Sequence, residues 1–184
     1  MVGRLDPKSA VITLKPVPTE NARPNGILVL KQGVPVFSEA GSSKVGFIAP
    51  ATFGVSEFPL PPGSRSRRLA IAADGNTLYF TDFVGGNLGK LDLSIGALIL
   101  YPSPGGPDSN PYGLAITPDG MVWYTETGTQ PNILVRFDPQ SSSFARATVP
   151  FATGGVHNIT ATSDGLVYLT SNGVDKLGAV EVSQ

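Results

Sequence analysis

Apolar residues in this chain gather in short β-prone runs such as GILVL, TLYF, GLAIT and MVWYT, each closed off by Gly, Pro, Asn, Asp or Ser. Runs of that length bounded by turn formers predict strands. GILVL and GLAIT are apolar at consecutive positions, as expected when neighbouring sheets cover both faces of a strand.

The runs repeat. RPNGILVLKQGVPVFSEAG, SRRLAIAADGNTLYFTDFV, NPYGLAITPDGMVWYTETG and GVHNITATSDGLVYLTSNG align with one another, and each is followed by a third run: KVGFIAP, LGKLDL, ILVRFDP or LGAVEV. Asp74-Gly75, Asp119-Gly120 and Asp164-Gly165 fall 45 residues apart between apolar runs, with Gln32-Gly33 in the same place of the first unit. Asp-Gly between alternating runs is a hairpin signal, because the pair readily adopts positive φ. Fourth runs such as GVSEFPLP, ALILYPSP and FARATVP carry prolines, which cannot donate to a ladder and suit an outer edge.

Each unit therefore reads as a four-stranded antiparallel meander, and the array as an all-β β-propeller, a solenoid being the competing arrangement. The units run approximately over 22–63, 64–104, 105–150 and 151–184, with 1–21 supplying two outer strands, VGRLD and AVITLKPVP. Four repeats with partial blades at both ends are either half of a ring that a second chain completes or a piece of a larger propeller. Raw sheet edges invite pairing, so a homo-oligomer is expected.

Composition narrows the partners. With 13 Lys+Arg against 14 Asp+Glu there is no basic footprint for nucleic acid or an anionic membrane. Twenty-two Gly and 17 Pro alongside ordinary apolar content mark turns rather than disorder. No cysteine is present, which removes disulfide and thiolate chemistry. No apolar run is long enough to span a bilayer and no export leader follows Met1, so a soluble, cytoplasmic protein is expected.

The repeat also places candidate chemistry. Asn25, Arg67, Tyr112 and the lone histidine, His157, hold equivalent positions at the entrance to the first strand of successive units; Glu39, Asp82, Glu126 and Ser171 hold the end of the second. A chain that runs up one strand and down the next returns to the same end of the sheet, so both rings belong at one face of the disc. Three carboxylates converging on a channel mouth would repel unless a cation sat between them, which makes Glu39, Asp82 and Glu126 candidate ligands for Mg²⁺ or Ca²⁺. Arg67 and Arg68 are the alternative source of charge, by pairing with Asp82 or with a ligand carboxylate. An acid after a hydroxyl residue at the end of strand two has a plainer reading as an anchor for backbone N–H groups. SRSRR at 64–68 reads as a solvated loop, and Trp123 and Tyr124 as blade packing.

PYGLAITPDGMVWYTE at 111–126 best carries a string, P-x-G-[IL]-A-[IV]-x-x-D-G-x-[VL]-[WY]-[FY]-T-[ED], that recurs along the chain with [IL]-G-[RK]-[IL]-D after it. The chain thereby resembles the streptogramin B lyase family of seven-bladed propellers. That resemblance implies an elimination that opens a cyclic depsipeptide without water. In it a histidine removes a proton α to a carbonyl that a carboxylate-held Mg²⁺ polarises. His157 stands where the family has its base, Tyr112 where its second histidine is expected, and Ser171 where its metal-linked glutamate is expected.

The expected activity is the metal-dependent opening of a cyclic ester, a lactone or depsipeptide, with His157 as catalytic base and Tyr112, Arg67 and Asn25 contacting substrate. Hydrolysis at the same mouth by a lactonase or esterase is one rival. A non-catalytic propeller that binds a ligand or protein is the other.

Overall fold

The computed structural model describes residues 1–150 and 154–181, and within them the structure is almost wholly β. The fourth sequence unit, 151–184, extends at both ends beyond the described residues. The first blade is the antiparallel meander β3 (Pro24–Val29), β4 (Pro35–Glu39), β5 (Lys44–Ile48) and β6 (Val55–Pro59). The second is β7 (Ser66–Ile71), β8 (Thr77–Asp82), β9 (Asn87–Asp92) and β10 (Leu98–Pro102). The third is β11 (Pro111–Ile116), β12 (Val122–Glu126), β13 (Ile133–Asp138) and β14 (Ser143–Thr148). A fourth sheet holds β15 (Gly155–Ala161), β16 (Val167–Asn172) and β17 (Lys176–Val180), and a ribbon pairs β1 (Val2–Leu5) with β2 (Ile12–Lys15). The first strands pack side by side, β3 on β7, β7 on β11 and β11 on β15, so the sheets are the blades of a propeller.

The hairpins form as the turn chemistry requires, with one difference. Gly75 and Gly120 take the positive φ, 71° and 85°, while their aspartates stay out of that region. The backbone pattern, Gly120 N–H to the Thr117 carbonyl and Thr117 N–H to the Met121 carbonyl, is that of a three-residue loop, in which only the last position needs a left-handed residue. The Asp side chain instead ties the turn: Asp74 Oδ1 accepts from the N–H groups of Asn76 and Thr77.

The core lies between blades. Val36 and Val45 pack on Leu78, Phe80 and Leu91; Tyr79 and Leu88 pack on Val122, Tyr124 and Val135; Trp123 and Leu134 pack on Val156, Val167 and Leu169. Strand side chains alternate between faces, so Phe80 turns to the first blade while its neighbour Tyr79 turns to the third. Phe37 and Phe80 lie over their cross-strand partners Gly46 and Gly89, where a Cβ would collide with the ring; this explains the glycine in the third-strand motif of those two blades.

Not every first strand is covered on both faces. Ile27 and Val29 of β3 are 64% and 61% exposed, because only the outer ribbon, and no described first strand, precedes this blade. Leu5, Val11, Ile12 and Leu14 around the ribbon are exposed too, as is Leu177 on β17. These are the surfaces to which the expectation of a second copy applies. No helix among the described residues is long and apolar enough to cross a membrane.

A hydroxyl near the end of the second strand joins one blade to the next from β4, β8 and β12. Every first strand bulges near its start, between Pro24 and Ile27, Ser66 and Leu69, Pro111 and Leu114, and Gly155 and Asn158. A bulge leaves an N–H without its ladder partner. Ser38 Oγ accepts that N–H from Gly26 (2.8 Å) and donates to the Arg67 carbonyl of the second blade (2.7 Å). Thr81 Oγ1 does the same between Arg68 N–H (3.1 Å) and the Tyr112 carbonyl (2.7 Å), and Thr125 Oγ1 between Gly113 N–H (2.8 Å) and the Val156 carbonyl (2.7 Å). Thr125 is fully buried, so Thr125→Val, which keeps the shape, strands two backbone groups and should cost about 2–4 kcal/mol in urea unfolding. A loss within about 0.5 kcal/mol, the scatter of surface substitutions, would show that the bridge does not hold the blades.

Candidate functional site

The four bulges turn their side chains toward one mouth of the propeller, where they meet. Tyr112 and His157 stack with ring centroids 4.1 Å apart and planes 20° from parallel. Phe83, just past the end of β8, meets Tyr112 edge-on at 5.8 Å. The Arg67 guanidinium lies 4.6 Å above the Phe83 ring and 5.9 Å from that of Tyr112, while Arg68 lies 5.4 Å from the Tyr112 ring. Arg68 also bridges blades: Nη1 donates to Asn25 Oδ1 of the first (3.1 Å) and Nη2 to Asn158 Oδ1 of the fourth sheet (2.7 Å). Asn25, Arg67, Tyr112 and His157 therefore come together as the repeat spacing implies.

Phe83 is not assigned to the site from sequence, and Arg68 enters there only beside Arg67 as an alternative source of positive charge. Composition reads SRSRR as a solvated loop while the repeat puts Arg67 at a strand entrance; Ser66–Ile71 is the inner strand β7, and both arginines sit in its bulge. The signal was present in the repeat, since they align with Tyr112 and Gly113. Phe83 follows Asp82 by one residue and its partner is a neighbouring blade, which local pattern does not reveal.

His157 is half-buried, and neither ring nitrogen is hydrogen-bonded to a described residue. The ring lies between Tyr112 and the backbone of Gly155, where any Cβ would collide with it. Burial, with the positive charges of Arg68 and Arg67, holds its pKa below the usual 6.5. The imidazole is therefore neutral at pH 7, the form in which it accepts a proton.

The acids behave differently from the expected ring. Among the described residues no group of three or more His, Asp and Glu side chains is placed to hold a metal ion. Strand alternation gives the reason. Asp82 shares a face with Leu78 and Phe80, and Glu126 with Val122 and Tyr124, so each acid points between blades rather than at the axis. Asp82 accepts from Ser64 Oγ (3.1 Å) and from the N–H groups of Arg65 (2.8 Å) and Gly85 (3.1 Å). Glu126 accepts from Ser103 Oγ (2.7 Å) and Gly105 N–H (2.6 Å), and pairs with Arg146 at 2.7 Å. These carboxylates pin the loops that lead into their own blades. Glu39 accepts from Ser42 Oγ, its other oxygen is unpartnered, and burial raises its pKa. Ser171 is buried with its hydroxyl unpartnered. Glu39, Asp82 and Glu126 do not fit as the donor set of one Mg²⁺ or Ca²⁺, and Arg67 and Arg68 do not pair with Asp82: the ion pairs among the described residues are Lys44–Glu57 and Arg146–Glu126.

The radial sheets, the shared hydroxyl bridges and the mouth define a β-propeller, and the comparisons refine that class. No protein-family model matches the chain. A virginiamycin B lyase of Nocardia farcinica is 33% identical over 149 residues, 81% of this chain and 48% of that protein. A catalytically inactive histidine-to-alanine form of virginiamycin B lyase from Staphylococcus aureus, solved with quinupristin, superposes with a TM-score of 0.86 at 25% identity, over 97% of this chain and 59% of that one. A gluconolactonase from Xanthomonas campestris shares the fold, with a TM-score of 0.64 at 20% identity over 82% of this chain and 56% of that one. The chain is a streptogramin B lyase-like propeller, and it spans about half the length of the curated relative it matches.

Two outcomes follow from this geometry. The imidazole of His157, followed by NMR in the full chain, should titrate below pH 6.5, and Arg68→Gln should move its midpoint upward by removing a positive neighbour. A depressed folded-state pKa contributes stability that is present above pH 6.5 and is lost as pH falls through the lowered value. Asp82→Ala should destabilise by about 3 kcal/mol or more, because the loop N–H groups lose a charged acceptor, while leaving the His157 midpoint in place. A His157 midpoint above 6.5, or an Asp82→Ala variant of unchanged stability, would contradict these assignments.

Proposed function

We propose that the mouth opens cyclic esters, a lactone or a depsipeptide linkage, by elimination with His157 as the base. The observation that carries this is the stacked, neutral imidazole of His157 beside two guanidiniums that no carboxylate of the described residues neutralises. Support also comes from the Staphylococcus aureus relative, which is inactive with one histidine replaced by alanine.

In the proposed step, His157 takes a proton from the carbon next to the one bearing the ester oxygen. The freed electron pair forms the carbon–carbon double bond, the carbon–oxygen bond breaks, and the ester oxygen leaves as part of a carboxylate. Tyr112 fixes the plane of the imidazole by stacking. Arg67 and Arg68 put positive charge beside the reacting carbons, and that field favours the negative charge that develops on the departing carboxylate. Hydrolysis is the second reading: the same neutral imidazole can deprotonate water, and the likeness to a gluconolactonase fold accommodates it.

Mass analysis of products from quinupristin and from simple lactones tests both readings. Elimination opens the ring without change of mass and leaves an alkene, whereas hydrolysis adds one water. His157→Ala should lower turnover by roughly 10²–10⁴-fold with the fold intact. Undiminished turnover in that variant would remove His157 from the chemistry.

A further inference from the structure

We propose that Arg67 and Arg68 form a receptor for an oxyanion that the substrate already carries, so that the natural substrate is an anionic cyclic ester bearing a carboxylate or phosphate group. The proposal rests on the ester-opening reading above and adds the substrate's charge class.

Both guanidiniums lie against one ring, 5.9 and 5.4 Å from the Tyr112 centroid, so two like charges border the mouth. Neither is paired with a carboxylate among the described residues. Arg68 is held by two neutral amide oxygens, those of Asn25 and Asn158, and Arg67 by the faces of Phe83 and Tyr112. These contacts position the guanidiniums without cancelling their charge. Arg67 Nε is buried with no hydrogen-bond partner, so nothing within the described residues offsets the charge of this guanidinium at that atom. The concentration of charge is local, because the chain as a whole carries a formal net charge of −1.

Two of the buried carboxylates are satisfied within the chain: Glu126 receives Arg146, and Asp82 receives backbone and side-chain donors. A mouth left uncompensated in the same molecule is complementary to a partner that brings the anion. Arginine's fixed fork matches carboxylate and phosphate oxygens two at a time, and a second guanidinium beside it favours a dianion further. An anion seated there stands next to His157, whose ring shares Tyr112 with both arginines.

His157 is the sole histidine, so its imidazole resonances report on the site without overlap. The full chain is titrated with inorganic phosphate, with succinate, and with sodium chloride at matched ionic strength, alongside R67Q and R68Q. The expected result is a saturable shift of the His157 resonances and a rise in its titration midpoint with phosphate or succinate. The change should exceed that with chloride, and affinity should fall about tenfold or more in each variant. Tighter binding of phosphate assigns a phosphate ester, and tighter binding of succinate a carboxylate. A response no larger than that of chloride overturns the proposal even if the variants do not fold, and so does an unchanged response in folded R67Q and R68Q. Turnover is read separately. A chain that binds phosphate but opens no cyclic ester keeps the anion receptor and loses the ester-opening reading, while one that opens neutral lactones but binds no anion does the reverse.

Discussion

A bulged strand cannot satisfy all of its own backbone, and the molecule is organised around how it meets that need. In the first three blades the bulge frees an N–H near the start of the first strand, and a hydroxyl from the neighbouring second strand accepts it while donating to a carbonyl of the next blade. One side chain thus closes two backbone gaps on two sheets. Radial packing of apolar faces brings the blades together, but it is non-directional. The hydroxyl bridge fixes their register along the axis, because a buried donor or acceptor left alone costs about 1–3 kcal/mol.

The site is a by-product of that register. The bulge needed for the bridge also turns its side chains out of the sheet, so Asn25, Arg67, Arg68, Tyr112 and His157 all issue from bulges locked at the same height. Stacking of Tyr112 on His157 then crosses from the third blade to the fourth, and Arg68 reaches from the second blade to the first and fourth. Burial and the two arginines keep the imidazole neutral. Scaffold and chemistry therefore share one cause, and chemistry can vary blade by blade while the bridging hydroxyl stays Ser or Thr.

Much of this was legible in the sequence. The repeat spacing located the blades and the ring of first-strand residues, because a fixed period forces equivalent positions to one end of the stack. The fate of the acids was not legible. Period places Glu39, Asp82 and Glu126 at the mouth end, but strand alternation turns Asp82 and Glu126 between blades and Glu39 to the face that Phe37 shares with Val2 of the ribbon, and their partners Ser64, Ser103 and Ser42 lie in loops whose paths no local pattern dictates. The arginines read two ways: SRSRR looks like a loop by composition, while repeat phase puts Arg67 at the mouth and the last two residues of the tract are strand by register. Where repeat phase and composition disagreed, phase was the better guide, since it expresses a constraint from the whole fold.

Inter-blade register sets His157 against Tyr112. Nuclear Overhauser contacts between the two rings test it most directly in the folded chain. Stacked rings give strong cross-peaks between the aromatic protons of Tyr112 and the imidazole protons of His157, with the latter shifted upfield by the neighbouring ring. An imidazole at random-coil shifts with no contact to Tyr112 would mean that the blades are not held in this register, and the mouth described here would not exist.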